Sequence, residues 1–134
     1  MNVAGVHHVA VAVEDLDLAL ETYERLFGAE VERRERVESQ GVEAAYVKLG
    51  TGRIELVAPL AQDTPVGRFL QSRGPGMHHV AIVVDDLAEA VSALAQAGAE
   101  VVDAEPRPGV GGHAVSFVHP SSVHGVLVEV IANG

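Results

Sequence analysis

The chain contains no cysteine. Disulfides and thiol nucleophiles are excluded from the outset. Positive charge is also scarce: nine Lys and Arg stand against nineteen Asp and Glu, for a formal net charge of −10. Non-specific nucleic-acid binding needs a basic surface, so nucleic acid is not an expected partner. Aromatic residues make up only 4% of the chain, which argues against base stacking as well. An anionic substrate is disfavoured unless basic groups gather locally. Arg33, Arg34 and Arg36 do cluster, while Arg53, Arg68, Arg73 and Arg107 are scattered. No apolar run approaches the roughly 18 residues of a membrane span, and no basic N-terminal segment leads into an apolar core. The expectation is a soluble, cytoplasmic protein with no membrane partner.

What the chain has is apolar content, 48% over 134 residues, enough for one compact domain or two intimately packed halves. It also has a repeat. His7-His8-Val9-Ala10-Val11-Ala12-Val13-Glu14-Asp15-Leu16 returns as His78-His79-Val80-Ala81-Ile82-Val83-Val84-Asp85-Asp86-Leu87, with seven of ten positions identical. Gly28-Ala29-Glu30-Val31 returns as Gly98-Ala99-Glu100-Val101, and Ile54-Glu55-Leu56-Val57 as Val128-Glu129-Val130-Ile131. One unit is used twice.

Each copy reads as a strand running into a helix with an aspartate at its N-cap. Side chains alternate along a strand, so His8, Ala10 and Ala12 share one face and His7, Val9, Val11 and Val13 the other. In the second copy His79, Ala81 and Val83 oppose His78, Val80, Ile82 and Val84. The bulky row calls for a helix packed on it. The small row, carrying His8 or His79, leaves room for chemistry.

The first module is expected as a strand over 6–13, a helix from Asp15 to about Phe27, a charged strand over 30–38, and strands over 42–49 and 53–58 joined at Gly50-Thr51-Gly52. The helix should turn Leu16, Ala19, Leu20, Tyr23, Leu26 and Phe27 inward. A linker then carries a short helix over 66–72, begun near Thr64-Pro65 and ended by Gly74-Pro75-Gly76. The second module repeats the order: strand 77–84, helix 87–97, short strand 101–104, a loop over 106–112, and strands 114–118 and 126–131. The fold class is α+β: two tandem βαβββ modules in a curved, mostly antiparallel eight-stranded sheet around a metal-containing cup, helices outside. The whole is taken as a single domain over 1–134, with module one at 1–60, the linker at 61–75 and module two at 76–134.

His8, Glu55, His79 and Glu129 would face that cup. Two imidazoles with two carboxylates suit a divalent first-row metal, whose charge the carboxylates balance. Open coordination positions would accept substrate oxygens. His7 and His78 are read as packing or surface residues; His113, His119 and His124 remain ambiguous. Gly111-Gly112 lacks a phosphate-loop lysine, so nucleotide binding is not supported.

The motifs that go furthest are Ile54-Glu55-Leu56-Val57-Ala58-Pro59-Leu60, Asp63-Thr64-Pro65-Val66-Gly67-Arg68-Phe69-Leu70, Gly76-Met77-His78-His79, and Phe117-Val118-His119-Pro120 through Gly125-Val126-Leu127-Val128-Glu129. With them, nearly the whole chain resembles the methylmalonyl-CoA epimerase family of the vicinal-oxygen-chelate superfamily, which also holds glyoxalases, bleomycin-resistance proteins and dioxygenases. The resemblance implies metal ligation by His8, His79 and Glu129, with Glu55 at a fourth position that some members fill with glutamine. It implies a divalent ion, cobalt first, with Mn²⁺, Ni²⁺ or Zn²⁺ as alternatives. It implies an acyl-CoA substrate, epimerised at C2 through a metal-stabilised enolate, and a homodimer. Some relatives carry a glutamate just after Gln-Gly-Val, one residue beyond Glu43, where Ala44 stands here. A one-residue slip reverses the face. Glu129 and Glu55 are therefore the preferred proton carriers, with Glu43 third.

Two other readings stand beside it. A glyoxalase I-like isomerase of a glutathione hemithioacetal would use the same His, Glu, His, Glu set. A metal-free module that sequesters a small drug would not need buried carboxylates.

Overall fold

The computed structural model describes residues 1–103 and 105–132. The first repeat forms β1 (Val3–Ala12), α1 (Leu16–Phe27), β2 (Glu30–Val37), β3 (Val42–Leu49) and β4 (Gly52–Pro59). The linker carries α2 (Pro65–Arg73). The second repeat forms β5 (Gly76–Val84), α3 (Leu87–Gln96), β6 (Arg107–Pro108), β7 (Ala114–Val118) and β8 (Leu127–Ala132).

The repeat is reproduced down to its caps. The Asp15 carboxylate accepts a hydrogen bond from the Leu18 N–H at 3.0 Å, and Asp86 does the same for Glu89 at 3.0 Å. Each cap holds one of the orphan N–H groups that every helix start leaves over. Gly28, with φ of 65°, closes α1 in the left-handed region that glycine adopts without strain. Thr64 caps α2, accepting from the Gly67 N–H at 3.1 Å, and Pro65 occupies the first turn, where its missing N–H costs nothing.

In the first module the strand order is β2-β3-β4-β1, and in the second it is β5-β8-β7-β6. Among the described residues, the eight strands, the three α-helices and the α+β class agree with the expectation. Antiparallel pairing predominates, as expected, at β2–β3, β3–β4, β6–β7 and β7–β8, while β1 runs parallel to β4 and β5 parallel to β8, where each module's first and last strands meet side by side. Packing divides the described residues into two compact units: His8–His78, and Met1–His7 with the residues from His79 onward. In the latter, Asn2 donates its side-chain amide to Asp85 at 3.1 Å and accepts the Asp85 N–H at 3.3 Å.

The bulky rows meet the helices as expected. Val11, Val13 and Ile54 pack with Leu16, Ala19, Leu20 and Tyr23 around Ala45, Val47 and Leu56. Ile82, Val84, Val128 and Val130 pack with Leu87, Ala90, Val91 and Leu94. Leu26 and Phe27 depart from expectation, being 56% and 63% exposed. Phe27 lays its ring against the edge of Tyr23, centroids 5.7 Å apart, instead of entering the core.

The strand expected over 101–104 is reduced to a single bridge, Val101 to Val118, with Ala104 outside the described residues. Arg107–Pro108, in the stretch expected to be loop, pairs with β7 instead. Proline offers no N–H to a ladder, so this pairing stays two residues long and lies at the end of its strand order. No described helix is long and apolar enough to cross a membrane.

Candidate metal and proton-transfer site

The small row of β1 places His8 at 1% exposure, with Ala10 and Ala12 fully covered beyond it. β4 pairs Glu55 with Ala10, and β3 pairs Tyr46 with Glu55. Directly opposed residues project to the same face, so His8, Tyr46 and Glu55 share one side of the first module. Nε2 of His8 lies 3.6 Å from Oε1 of Glu55. The second module repeats the construction: β8 pairs Glu129 with Ala81, β7 pairs Phe117 with Glu129, and Nε2 of His79 lies 3.7 Å from Oε2 of Glu129.

Both separations exceed an ordinary hydrogen bond. Both are short enough for the two atoms to touch one cation at ligand distances of about 2.0–2.2 Å. Glu55 and Glu129 are 4% and 5% exposed. Burying a carboxylate costs several kcal/mol unless an opposite charge compensates it. Each module thus offers one imidazole and one buried acid, donors whose chemistry fits a divalent ion.

Aromatic rings flank both pairs. Tyr46 lies 5.2 Å from the His8 ring and Phe117 lies 6.0 Å from the His79 ring. The Arg53 guanidinium sits 5.3 Å from the Tyr46 centroid. It is fixed there by Glu32, at 2.6 Å and 3.2 Å. The Glu32 hydrogen bond, opposed by burial and aided by the Glu32 charge, raises the Arg53 pKa above its ordinary value.

Glu43 is not brought to this face. It shares its face of β3 with Ala45 and Val47, which belong to the α1 core, and its carboxylate takes Arg34 Nε at 3.2 Å and Nη2 at 3.4 Å. Arg34 also holds Asp17 at 2.7 Å. Hydrogen bonds to Glu43 first and Asp17 second raise the Arg34 pKa. Ala44, buried, occupies the His8 side instead.

Three other histidines are placed locally. The His78 ring meets Phe69 edge-on at 5.0 Å. His119 Nδ1 accepts the Ser121 N–H at 3.0 Å, capping the turn at Pro120–Ser122. His124 adopts a left-handed φ of 66°. Sequence reading passed over Tyr46, Phe117 and the Arg53–Glu32 pair. The signal for Tyr46 was present: a turn joining Leu49 to Gly52 sets Tyr46 opposite Glu55.

The fold and this residue set define a class. The family model of the Glyoxalase/Bleomycin resistance protein/Dioxygenase superfamily matches residues 7–117, and the chain belongs to that superfamily. Its relatives there include the mitochondrial methylmalonyl-CoA epimerase of Bos taurus, 40% identical over 96% of this chain and 74% of that protein. Among solved structures, methylmalonyl-CoA epimerase from Mycobacterium tuberculosis matches with a TM-score of 0.95 at 33% identity, covering 98% of this chain and 89% of that one. A substituted form of the Streptomyces coelicolor epimerase, in complex with 2-nitronate-propionyl-CoA, matches with a TM-score of 0.95 at 32% identity, covering 99% of each chain.

Proposed function

We propose that this chain is a metal-dependent epimerase that interconverts the (R) and (S) forms of methylmalonyl-CoA. The observation that carries the reading is the doubled His–Glu pair, buried at equivalent places in both modules. In this reading His8 and Glu55 of the first module and His79 and Glu129 of the second would hold one ion between them. A divalent ion bound there, Co²⁺ by family resemblance with Mn²⁺, Ni²⁺ or Zn²⁺ as alternatives, supplies Lewis acidity at the thioester oxygen.

The chain's own acids move the protons. Glu129 takes the C2 proton from one face, and the C–H electron pair spreads into the thioester carbonyl. Glu55, in its acid form, delivers a proton to the opposite face. The configuration at C2 is inverted, and the two carboxylates have exchanged protonation states. The reverse direction exchanges their roles. The same proposal places the working form in the cytoplasm as a homodimer with the modules as a single domain, testable by gel filtration.

The test is a stereospecific coupled assay on single epimers of methylmalonyl-CoA in D₂O, beside the methylglyoxal–glutathione hemithioacetal. Epimerisation with deuterium entering C2 is the expected result. Turnover of the hemithioacetal alone would move the assignment to a glyoxalase. Absence of both activities, with near-zero metal content in protein purified without chelator and no gain on adding Co²⁺, would favour the sequestering module.

A further inference from the structure

Tyr and Phe are rare in this chain, two and three in all, so where they stand is informative. Two of the five occupy the same place in the two modules. Tyr46 faces Glu55 across the β3–β4 ladder, and Phe117 faces Glu129 across β7–β8. The residues before them differ, Ala44 and Ala45 in one module and Val115 and Ser116 in the other, yet both modules keep a ring against their histidine. In the second module His79 and Phe117 come from the strands on either side of β8, and Glu129 stands on β8 between them. The partner of Glu129 on β5 is Ala81, buried and too small to keep the two rings apart. They meet with centroids 6.0 Å apart and planes at 86°, the edge-to-face geometry that aromatic pairs prefer.

The backbone beneath Phe117 is held from both sides, by the ladder to β8 and by the Val102 N–H, which reaches the Phe117 carbonyl oxygen at 2.8 Å. The ring therefore rises from a fixed point. The last torsion of a histidine side chain is intrinsically broad and roughly two-fold. Rotation about it would carry Nε2 of His79 away from its place 3.7 Å from Oε2 of Glu129. Resting on the metal-dependent epimerase reading, we propose that Phe117 is a positioning residue for the second module's pair. Its ring sets the plane of the His79 imidazole, so that Nε2 and the Glu129 carboxylate are aimed at one cation before it arrives. Ligands ordered in advance lose less freedom on binding, and the gain appears as metal affinity. A leucine in this place would keep apolar bulk but present no flat face to the imidazole.

The experiment titrates Co²⁺ by calorimetry into the full chain freed of metal with chelator, as wild type, Phe117→Leu, Phe117→Tyr and Val118→Ala. Val118 is the next residue on β7 and is buried on the other face, in the α3 core, so its truncation loosens the module without touching the His79 ring. Phe117→Leu is expected to weaken Co²⁺ by about five- to tenfold, the scale of one aromatic contact. Phe117→Tyr keeps a ring, as the first module does, and should stay within about twofold of wild type. Val118→Ala should also stay within about twofold, although urea unfolding shows it to be less stable. Unchanged affinity in Phe117→Leu, an equal fall in Val118→Ala, or a Phe117→Tyr protein as weak as Phe117→Leu would each overturn the positioning role. Wild-type protein that binds no Co²⁺ would overturn the metal-dependent reading and this inference together; wild type that binds Co²⁺ no better than Phe117→Leu does, yet epimerises, overturns the inference alone.

Discussion

Arg34 holds Glu43 at 3.2 Å on the α1 side of β3, away from the face that carries His8 and Glu55. Asp17 grips the same guanidinium at 2.7 Å, tying the helix to the sheet. A carboxylate so placed is part of a surface ion-pair network. Glu43→Gln is therefore expected to leave kcat within about twofold, with a stability loss of no more than ~1 kcal/mol, the usual ceiling for exposed pairs. Steady-state kinetics and urea unfolding check it. A fall of several orders in kcat would return Glu43 to the list of proton carriers.

Glu129 is the residue on which ligation and proton transfer both converge in the proposed mechanism. Glu129→Gln keeps the shape and removes the charge. It should lower kcat by about 10²-fold or more, the usual scale for losing a positioned acid–base group. His79→Ala should cost both activity and bound metal, read by elemental analysis after dialysis. If His79→Ala protein keeps wild-type metal stoichiometry and turnover, the doubled pair is not the site.

Much of this was legible before any coordinates. The repeat predicted two His–Glu pairs, and alternation, together with the small side chains on one row, chose His8 and His79 over His7 and His78; these two are the buried members. The slip argument for Glu43 and Ala44 likewise needed only the period of two. Register across β3–β4 could also have been counted outward from the turn at Gly50. The rest depended on non-local packing. Nothing near Glu43 in sequence announces Asp17, which reaches Arg34 from a different element. The parallel pairing of β1 with β4 joins residues some 45 positions apart, such as Ala10 and Glu55. The hydrophobic stripe of α1 continues through Leu26 and Phe27, yet burial ends earlier, because periodicity states a helix's face and not how far its support extends.

The matched caps allow a direct test of the duplication. Asp15 and Asp86 have nearly the same backbone conformation, φ/ψ of −132°/109° and −131°/108°, and accept the same type of N–H. Asp15→Ala and Asp86→Ala should each destabilise by ~1 kcal/mol, within the 0.5–2 kcal/mol span of N-cap losses. The double variant should show the sum, since the two caps hold different N–H groups, those of Leu18 and Glu89, and sites without shared partners add to within about 0.5 kcal/mol. Urea midpoints at constant m-value check both statements. A double variant far worse than the sum would mean that the two helix starts are energetically coupled.

Ser116 makes the opposite prediction. It lies on β7, 1% exposed, opposite Val130 and next in line to Val118, both members of the α3 core. Its Oγ has no hydrogen-bond partner among the described residues. A buried hydroxyl without a partner costs about 1–3 kcal/mol relative to leaving it in water. Ser116→Ala removes that oxygen and leaves a gap smaller than a methylene, so the cavity term is small. The variant should be as stable as the wild type or more stable by ~1 kcal/mol, with kcat unchanged because the side chain faces away from His79 and Glu129. Chemical denaturation and the epimerase assay read the two halves of this statement separately. A loss of ~1 kcal/mol or more would mean that the hydroxyl is satisfied in solution, by a bound water or a shifted rotamer, and that β7 is held in place partly through it.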